Sequence, residues 1–213
     1  MEIIINNINK EIKGNKILSD INISLKSGVI YGLYGYNGSG KTMFLKSICG
    51  LIKIDSGYIK VDGKEIGKDI DFPPNVGAII ETPGFFKFYT GYENLKMLAA
   101  IRNRIGEEEI KSTLRLVGLD YDDKREVAKY SLGMKQRLAI AQAIMEKPEI
   151  LILDEPTNAL DEKAVEIFRE IIKKEKSKGT LVIIASHNKD DINILADVKL
   201  KMDNGQLIVE GEG

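Results

Sequence analysis

Apolar and polar positions follow two different rhythms along this chain, and the changes of rhythm outline its architecture. Ile21 to Leu25 alternates with a period of two, and Glu2 to Ile8 has the same β character. Val29 to Tyr34 (Val-Ile-Tyr-Gly-Leu-Tyr) is a short apolar run, which predicts a buried strand. Met43 to Cys49 instead spaces Phe44, Leu45 and Ile48 for one face of a helix. Tyr58 to Val61, followed by Asp62-Gly63-Lys64, predicts a hairpin. From Tyr92 to about Glu146 the pattern is helical. Leu95, Leu98, Ala99 and Arg102 suit one helix; Ile110, Leu114 and Val117 suit a second, ended by Gly118; Leu138 to Met145 suits a third, stopped near Pro148. Beyond it come a buried strand (Ile150 to Leu153), an amphipathic helix (Glu162 to Lys178), a second buried strand (Leu181 to Ala185) and a hairpin (Val198 to Val209) turning at Asn204-Gly205. Apolar strands alternating with helices predict an α/β fold with a parallel core sheet, into which a helical stretch at about 83–147 is inserted.

Composition narrows the classes open to such a fold. The 213 residues are enough for one sizeable core, and 43% hydrophobic with 30% charged content is ordinary for a globular protein. Basic and acidic residues nearly cancel, 31 against 32, so bulk nucleic-acid binding is not expected. Cys49 is the only cysteine, which excludes an intrachain disulfide and a cysteine metal cluster. The apolar runs are too short to span a bilayer, and the N-terminus lacks a secretory pattern. A cytosolic location is expected, with a peripheral membrane position left open.

Gly35-Tyr36-Asn37-Gly38-Ser39-Gly40-Lys41-Thr42 fits the P-loop pattern, and it lies between a predicted strand and a predicted helix that opens with Met43. That context makes an anion site: consecutive backbone N–H groups point inward, and the helix N-terminus favours negative charge. Lys41 would reach the β- and γ-phosphates, and Thr42 would offer its hydroxyl to Mg²⁺. A second set of residues suits the same chemistry. Ile150 to Leu153 leads into Asp154 and Glu155, so a buried strand delivers two carboxylates to its C-terminal end, where ligands bind in such sheets. Asp154 would support Mg²⁺, and Glu155 would polarise an attacking water. His187, the only histidine, follows another buried strand and should reach the same sheet edge as a γ-phosphate sensor. Ser131 and Gly133 precede the third helix of the insertion and would form another phosphate cradle, unless Ser131 is a simple N-cap. One chain needs only one cradle, so a second suggests nucleotides shared between two chains.

In this order the pieces resemble the ATP-binding subunits of ABC transporters. The Walker A loop is Gly35 to Thr42, the signature region Tyr130 to Gln136, Walker B Ile150 to Glu155, the D-loop Asn158-Ala159-Leu160-Asp161 and the switch histidine His187. The resemblance implies a P-loop NTPase with an ABC-type β-subdomain and catalytic core, at about 1–82 and 148–213, and a helical subdomain at about 83–147. It implies ATP and Mg²⁺ as cofactors, with Lys41, Glu155 and His187 in catalysis. It also implies a second subunit whose Ser131, Gly133 and Met134 close on the γ-phosphate, and a separate ABC-2-type transmembrane permease that anchors the subunit to the inner face of the membrane.

The chain departs from the usual family pattern in three places. Glu81 stands where glutamine is usual, in Val-Gly-Ala-Ile-Ile-Glu-Thr-Pro-Gly-Phe-Phe, and is expected to face Mg²⁺ or the attacking water. The signature reads Tyr130-Ser131-Leu132-Gly133-Met134 in place of Leu-Ser-Gly-Gly-Gln. Ile12 takes the place of the aromatic that stacks on adenine, so base contact would be apolar. The first two departures together resemble the bacitracin and lantibiotic resistance branch, whose ATPases serve exporters of antimicrobial peptides. Phe85, Phe86, Phe88 and Tyr89 either pack into the helical core or form a groove wall for a helix of the membrane subunit. DNA-repair and ribosome-acting relatives fit less well. Only 89 positions separate Thr42 from Ser131, with no heptad array between them, and the chain holds a single cassette.

Overall fold

The computed structural model describes residues 1–82, 84–187 and 189–210. Two sheets and a layer of helices enclose two cores. A hairpin of β1 (Glu2–Ile12) and β2 (Asn15–Lys26) opens the chain, and β3 (Ile30–Tyr34) runs into helix α1 (Lys41–Ile48). Strands β4 (Ser56–Val61) and β5 (Lys64–Glu65) then extend the first hairpin into a four-stranded antiparallel sheet of order β2-β1-β4-β5. Strand β6 (Val76–Ile79) leads to helices α2 (Gly91–Arg102), α3 (Glu107–Leu116) and α4 (Leu132–Ile144). The chain returns through β7 (Ile150–Asp154), α5 (Glu162–Ser177), β8 (Leu181–Ser186), α6 (Lys189–Leu195), β9 (Val198–Asp203) and β10 (Gln206–Glu210). The second sheet has the order β10-β9-β3-β8-β7-β6 and is parallel except for the terminal hairpin.

The central strands β3, β7 and β8 are buried along their whole length, which is why they read as continuous apolar runs. Their alternate side chains serve different cores. Leu151, Leu153, Val182 and Ile184 face a cluster with Leu95, Leu114, Leu138 and Phe168 of the helical layer. Ile150, Ile152, Leu181 and Ile183 face the other way, against Phe44, Leu45 and Ile48 of α1 and Ile3, Ile5 and Ile59 of the antiparallel sheet. Helix α1 is thus held between the two sheets. Cys49 caps its C-terminus in the same core, where burial pushes its thiol up to about 12.

The helix ends follow local chemistry. Thr90 and Glu93 form a reciprocal capping box on α2, and Asp161 caps α5. Beyond α3, Gly118 takes a φ of 72° and Leu119 N–H closes on Leu114 O at 2.9 Å, as the terminal glycine predicts. Three features depart from the sequence expectation. The first hairpin is longer than Glu2–Ile8 and Ile21–Leu25, because β1 and β2 continue as a ribbon in which Leu18 is the one buried residue, too sparse a signal for an apolar alternation. Helix α4 starts at Leu132 rather than Leu138, since none of its residues before Leu138 is fully buried and they carry no apolar period. Strand β6 and helix α6 were not expected; both are short, and β6 is interrupted by Gly77.

Candidate nucleotide site

The turn between β3 and α1 carries the P-loop. Gly40 caps the helix with a φ of 110°, and Lys41 folds back so that Nζ donates to Gly35 O at 2.8 Å and Tyr36 O at 3.1 Å. Asn37, Gly38, Lys41, Thr42 and Met43 line one side of a hollow of about 350 Å³, and Asp154 and Glu155 line the other. Parallel pairing of β7 with β8 and of β8 with β3 brings these carboxylates to the end of the sheet where the P-loop lies. Thr42 Oγ1 donates to Asp154 Oδ2 at 2.6 Å. Burial raises the Asp154 pKa above the usual aspartate range; the Thr42 hydrogen bond and nearby Lys41 oppose that shift, while Glu155 and Glu81 add to it.

Glu155 adopts a left-handed φ of 50°, held by its N–H donating to Ala185 O at 2.8 Å. The turn aims its carboxylate at His187. Oε1 accepts the His187 backbone N–H at 2.9 Å, and Oε2 lies 2.7 Å from His187 Nδ1. Ser186 Oγ approaches the same Oε2 at 3.5 Å. A carboxylate at Nδ1 leaves Nε2 of the ring for another partner.

These residues fit a magnesium nucleotide. Gly38 lines the hollow, and a Cβ placed there would project into open space. Ser39 Oγ is buried without a hydrogen-bond partner. Thr42 and Asp154 offer two hard oxygens side by side, while no group of three His, Cys, Asp or Glu able to cage a metal occurs among the described residues. That donor set suits a cation which keeps waters and takes its remaining ligands from phosphates.

Residues 18–158 match the ABC transporter family. The chain belongs to that family. It is an ABC-type ATPase. An uncharacterised ABC transporter ATP-binding protein of Bacillus subtilis (strain 168), YybJ, is 47% identical over 94% of this chain and 92% of its own length. The bacitracin transport ATP-binding protein BcrA of Enterococcus faecalis is 40% identical over 96% of this chain and 67% of its own length. A solved ATP-binding subunit of an ABC transporter superposes with a TM-score of 0.87 at 26% identity, over 99% of this chain and 90% of that one. Among the described residues, no helix is long and apolar enough to cross a membrane.

The residues expected to form a signature motif do not line the hollow. Ser131 is the N-cap of α4, its Oγ accepting from Met134 N–H at 3.2 Å, and neither these two residues nor Gly133 line the hollow. The tip of α4 instead abuts the turn after Glu155. A Cβ on Gly133 would fall 2.8 Å from Ala159 O, and Gln136 Nε2 donates to Pro156 O at 2.9 Å. Gly35 and Tyr36 border a second hollow beside His187, and Tyr36 is exposed.

Two of the family departures take particular positions. Ile12 sits at the tip of the β1–β2 hairpin; Ile17, on the return strand, is the apolar residue of that hairpin that lines the 350 Å³ hollow. Glu81 pairs with Lys46 of α1 at 2.6 Å, and its own φ is 61°. Of the aromatic cluster, Phe85 packs against the helical core, while Phe86, Phe88 and Tyr89 are exposed. Sequence reasoning missed Lys46, Ile17 and the Thr157–Asp191 contact described below, none of which belongs to a local pattern.

Proposed function

We propose that this chain drives export through a separate ABC-2-type membrane permease. It would work as a pair of copies, on the inner face of the membrane, with an antimicrobial peptide or similar amphipathic compound as cargo. In this reading, residues at about 83–147 form a helical subdomain, and the rest forms the catalytic core and β-subdomain. One observation carries the reading. Lys41, Thr42, Asp154 and Glu155 share a hollow from whose lining Ser131, Gly133 and Met134 of the same chain are missing. A second copy, facing the first head to tail, would supply that signature edge to the hollow.

The residue roles follow from placement. The P-loop from Gly35 to Thr42 receives the phosphates, with Lys41 swinging from its loop carbonyls to the β/γ oxygens. Thr42 and Asp154 would hold Mg²⁺, with Glu81 adding negative charge nearby. When bound, the ion would neutralise charge on the transferring phosphoryl group. Glu155 orients and deprotonates the attacking water, and His187 steadies the γ-phosphate through Nε2. Ile17, together with or in place of Ile12, gives the base an apolar neighbour. The exposed trio Phe86, Phe88 and Tyr89 offers the permease an apolar contact. That patch is tied to the segment before the signature, since Val127 N–H donates to Tyr89 O and Ala128 N–H to Lys87 O, both at 2.9 Å. The peptide cargo rests on the kinship with the bacitracin transport protein.

The test is reconstitution with the permease encoded beside this chain. MgATP turnover should rise on adding bacitracin, and the E155Q variant should run as a dimer in MgATP and a monomer without it. A variant that stays monomeric in MgATP would remove the shared-nucleotide reading. Turnover indifferent to bacitracin and other peptide antibiotics would remove the cargo.

A further inference from the structure

Asp191 joins three segments on which the hydrolytic pair depends. It lies in α6, four residues after His187, and is 4% exposed. Its Oδ2 accepts from Thr157 Oγ1 at 2.7 Å, and its Oδ1 accepts from Arg169 Nη2 at 2.7 Å. Thr157 lies two residues past Glu155, in the turn between β7 and α5, and Arg169 projects from α5 itself. The guanidinium is only partly satisfied, because Arg169 Nε is buried without a partner.

Stability alone is a poor reason for this arrangement. A buried ion pair roughly breaks even against apolar residues of the same volume, and an orphaned guanidinium N–H adds cost. Its position gives it a use. Glu155 and Ala159 both hold left-handed φ values, 50° and 65°, so the turn between them needs fixing from outside. Glu155 precedes that turn and His187 precedes α6, so their spacing follows that of the turn and the helix; Asp191, itself in α6, holds the turn through Thr157.

We infer that Asp191 is a positioning residue for hydrolysis: by holding Thr157 and α6 on one carboxylate, it sets the separation of Glu155 and His187. The inference rests on the roles proposed above for those two residues. Asp191 touches neither phosphate nor water in this scheme. By analogy with the outer partners of metal ligands, an effect of about 10–100-fold in activity is expected.

The experiment compares steady-state MgATP hydrolysis of purified wild type, T157V, D191N, the double variant and E155Q, alongside thermal melting of each. T157V removes one hydroxyl and leaves the Arg169–Asp191 pair intact, so it carries the test if D191N fails to fold. The expected result for T157V is a kcat lower by roughly 10–100-fold with KM unchanged and melting close to wild type. Where D191N folds, it should show the same split, and the double variant should be no slower than the slower single one, because the two residues act as a unit. Folded T157V with wild-type kcat, or losses that multiply in the double variant, would overturn the inference while E155Q still loses turnover. If E155Q itself kept full turnover, the assigned role of Glu155 would fall, and the inference with it.

Discussion

Both carboxylate oxygens of Glu155 are turned to one residue, His187: Oε1 to its backbone N–H at 2.9 Å and Oε2 to its Nδ1 at 2.7 Å. The backbone contact ties the acid to the end of β8, and the ring contact fixes the imidazole. Glu155→Gln keeps the shape but removes the charge that would take a proton from water. Turnover should fall by on the order of 10²–10⁴, with nucleotide affinity within a few-fold of wild type. Single-turnover hydrolysis and equilibrium titration with ATP check the two halves; a parallel loss of affinity would mean that Glu155 binds rather than activates.

Burial shifts Asp154 toward its neutral form relative to an ordinary aspartate, so its effects on stability and on cation binding run in opposite directions with pH. Its raised pKa means that the folded protein holds this proton more tightly than the unfolded chain does. Its stabilising contribution is therefore complete below the ordinary aspartate range and is lost as pH rises through the raised value. A cation requires the ionised form, so Mg²⁺-dependent ADP affinity should weaken on acidification at a pH above the ordinary aspartate range. Asp154→Asn should lower Mg²⁺-dependent affinity by roughly 10–100-fold while leaving the melting temperature of the free protein at pH 7 equal or higher. Calorimetric titration across acid pH measures the first effect; a large drop in melting temperature would contradict the second.

The Glu81–Lys46 pair is short at 2.6 Å, but the Glu81 side chain is 64% exposed. Pairs of that kind are worth about 0–1 kcal/mol. Glu81→Gln and Lys46→Met should each change unfolding free energy in urea by less than about 1 kcal/mol. The effect of Glu81→Gln should fall instead on the ratio of permease-stimulated to basal turnover. A stability loss of several kcal/mol would show that the pair does structural work beyond its exposure.

Asn94 clamps the exposed aromatic segment from inside. It is buried; its Oδ1 accepts Phe86 N–H at 2.8 Å, and its Nδ2 donates to Phe86 O at 3.1 Å and Thr90 O at 2.9 Å. Asn94→Ala leaves the Phe86 N–H without its partner, while Phe86 O and Thr90 O keep the backbone N–H groups of Tyr89 and residue 94, and should cost about 1–3 kcal/mol. Residues 86–89 should become more open to protease, while basal hydrolysis changes little. Unaltered proteolysis and urea midpoint would show that the segment is held by other contacts.

The parts of the fold that were legible in the sequence are those where one physical demand dominates a local window. Val29 to Tyr34, Ile150 to Leu153 and Leu181 to Ala185 are buried on both faces, and burial of that kind leaves an uninterrupted apolar run. The P-loop was legible because its glycines, lysine and threonine are contiguous. Strand β6 was hidden by Gly77, which is needed because a methyl there would lie 1.9 Å from Ala143 O of α4. That demand comes from a neighbour 66 positions away and leaves no periodic trace. The start of α4 was hidden because Leu132 is 68% exposed and contributes no apolar face. Ile17 was missed beside Ile12 because the bulges of the β1–β2 ribbon decide which residue turns toward the phosphate hollow. The Thr157–Asp191–Arg169 contact joins three segments and has no counterpart in any short motif.

The close seat of Gly133 on Ala159, with Gln136 latched to Pro156, has a mechanical consequence. With no room for even a methyl group between them, the α4 tip and the backbone leading from Glu155 form a gear with almost no backlash. In the export reading proposed above, a push on the helical layer would reach the turn after Glu155 and the tip of α4 together. Enlarging residue 133 would then loosen the timing between force and bond cleavage, because a Cβ there meets Ala159 O at 2.8 Å.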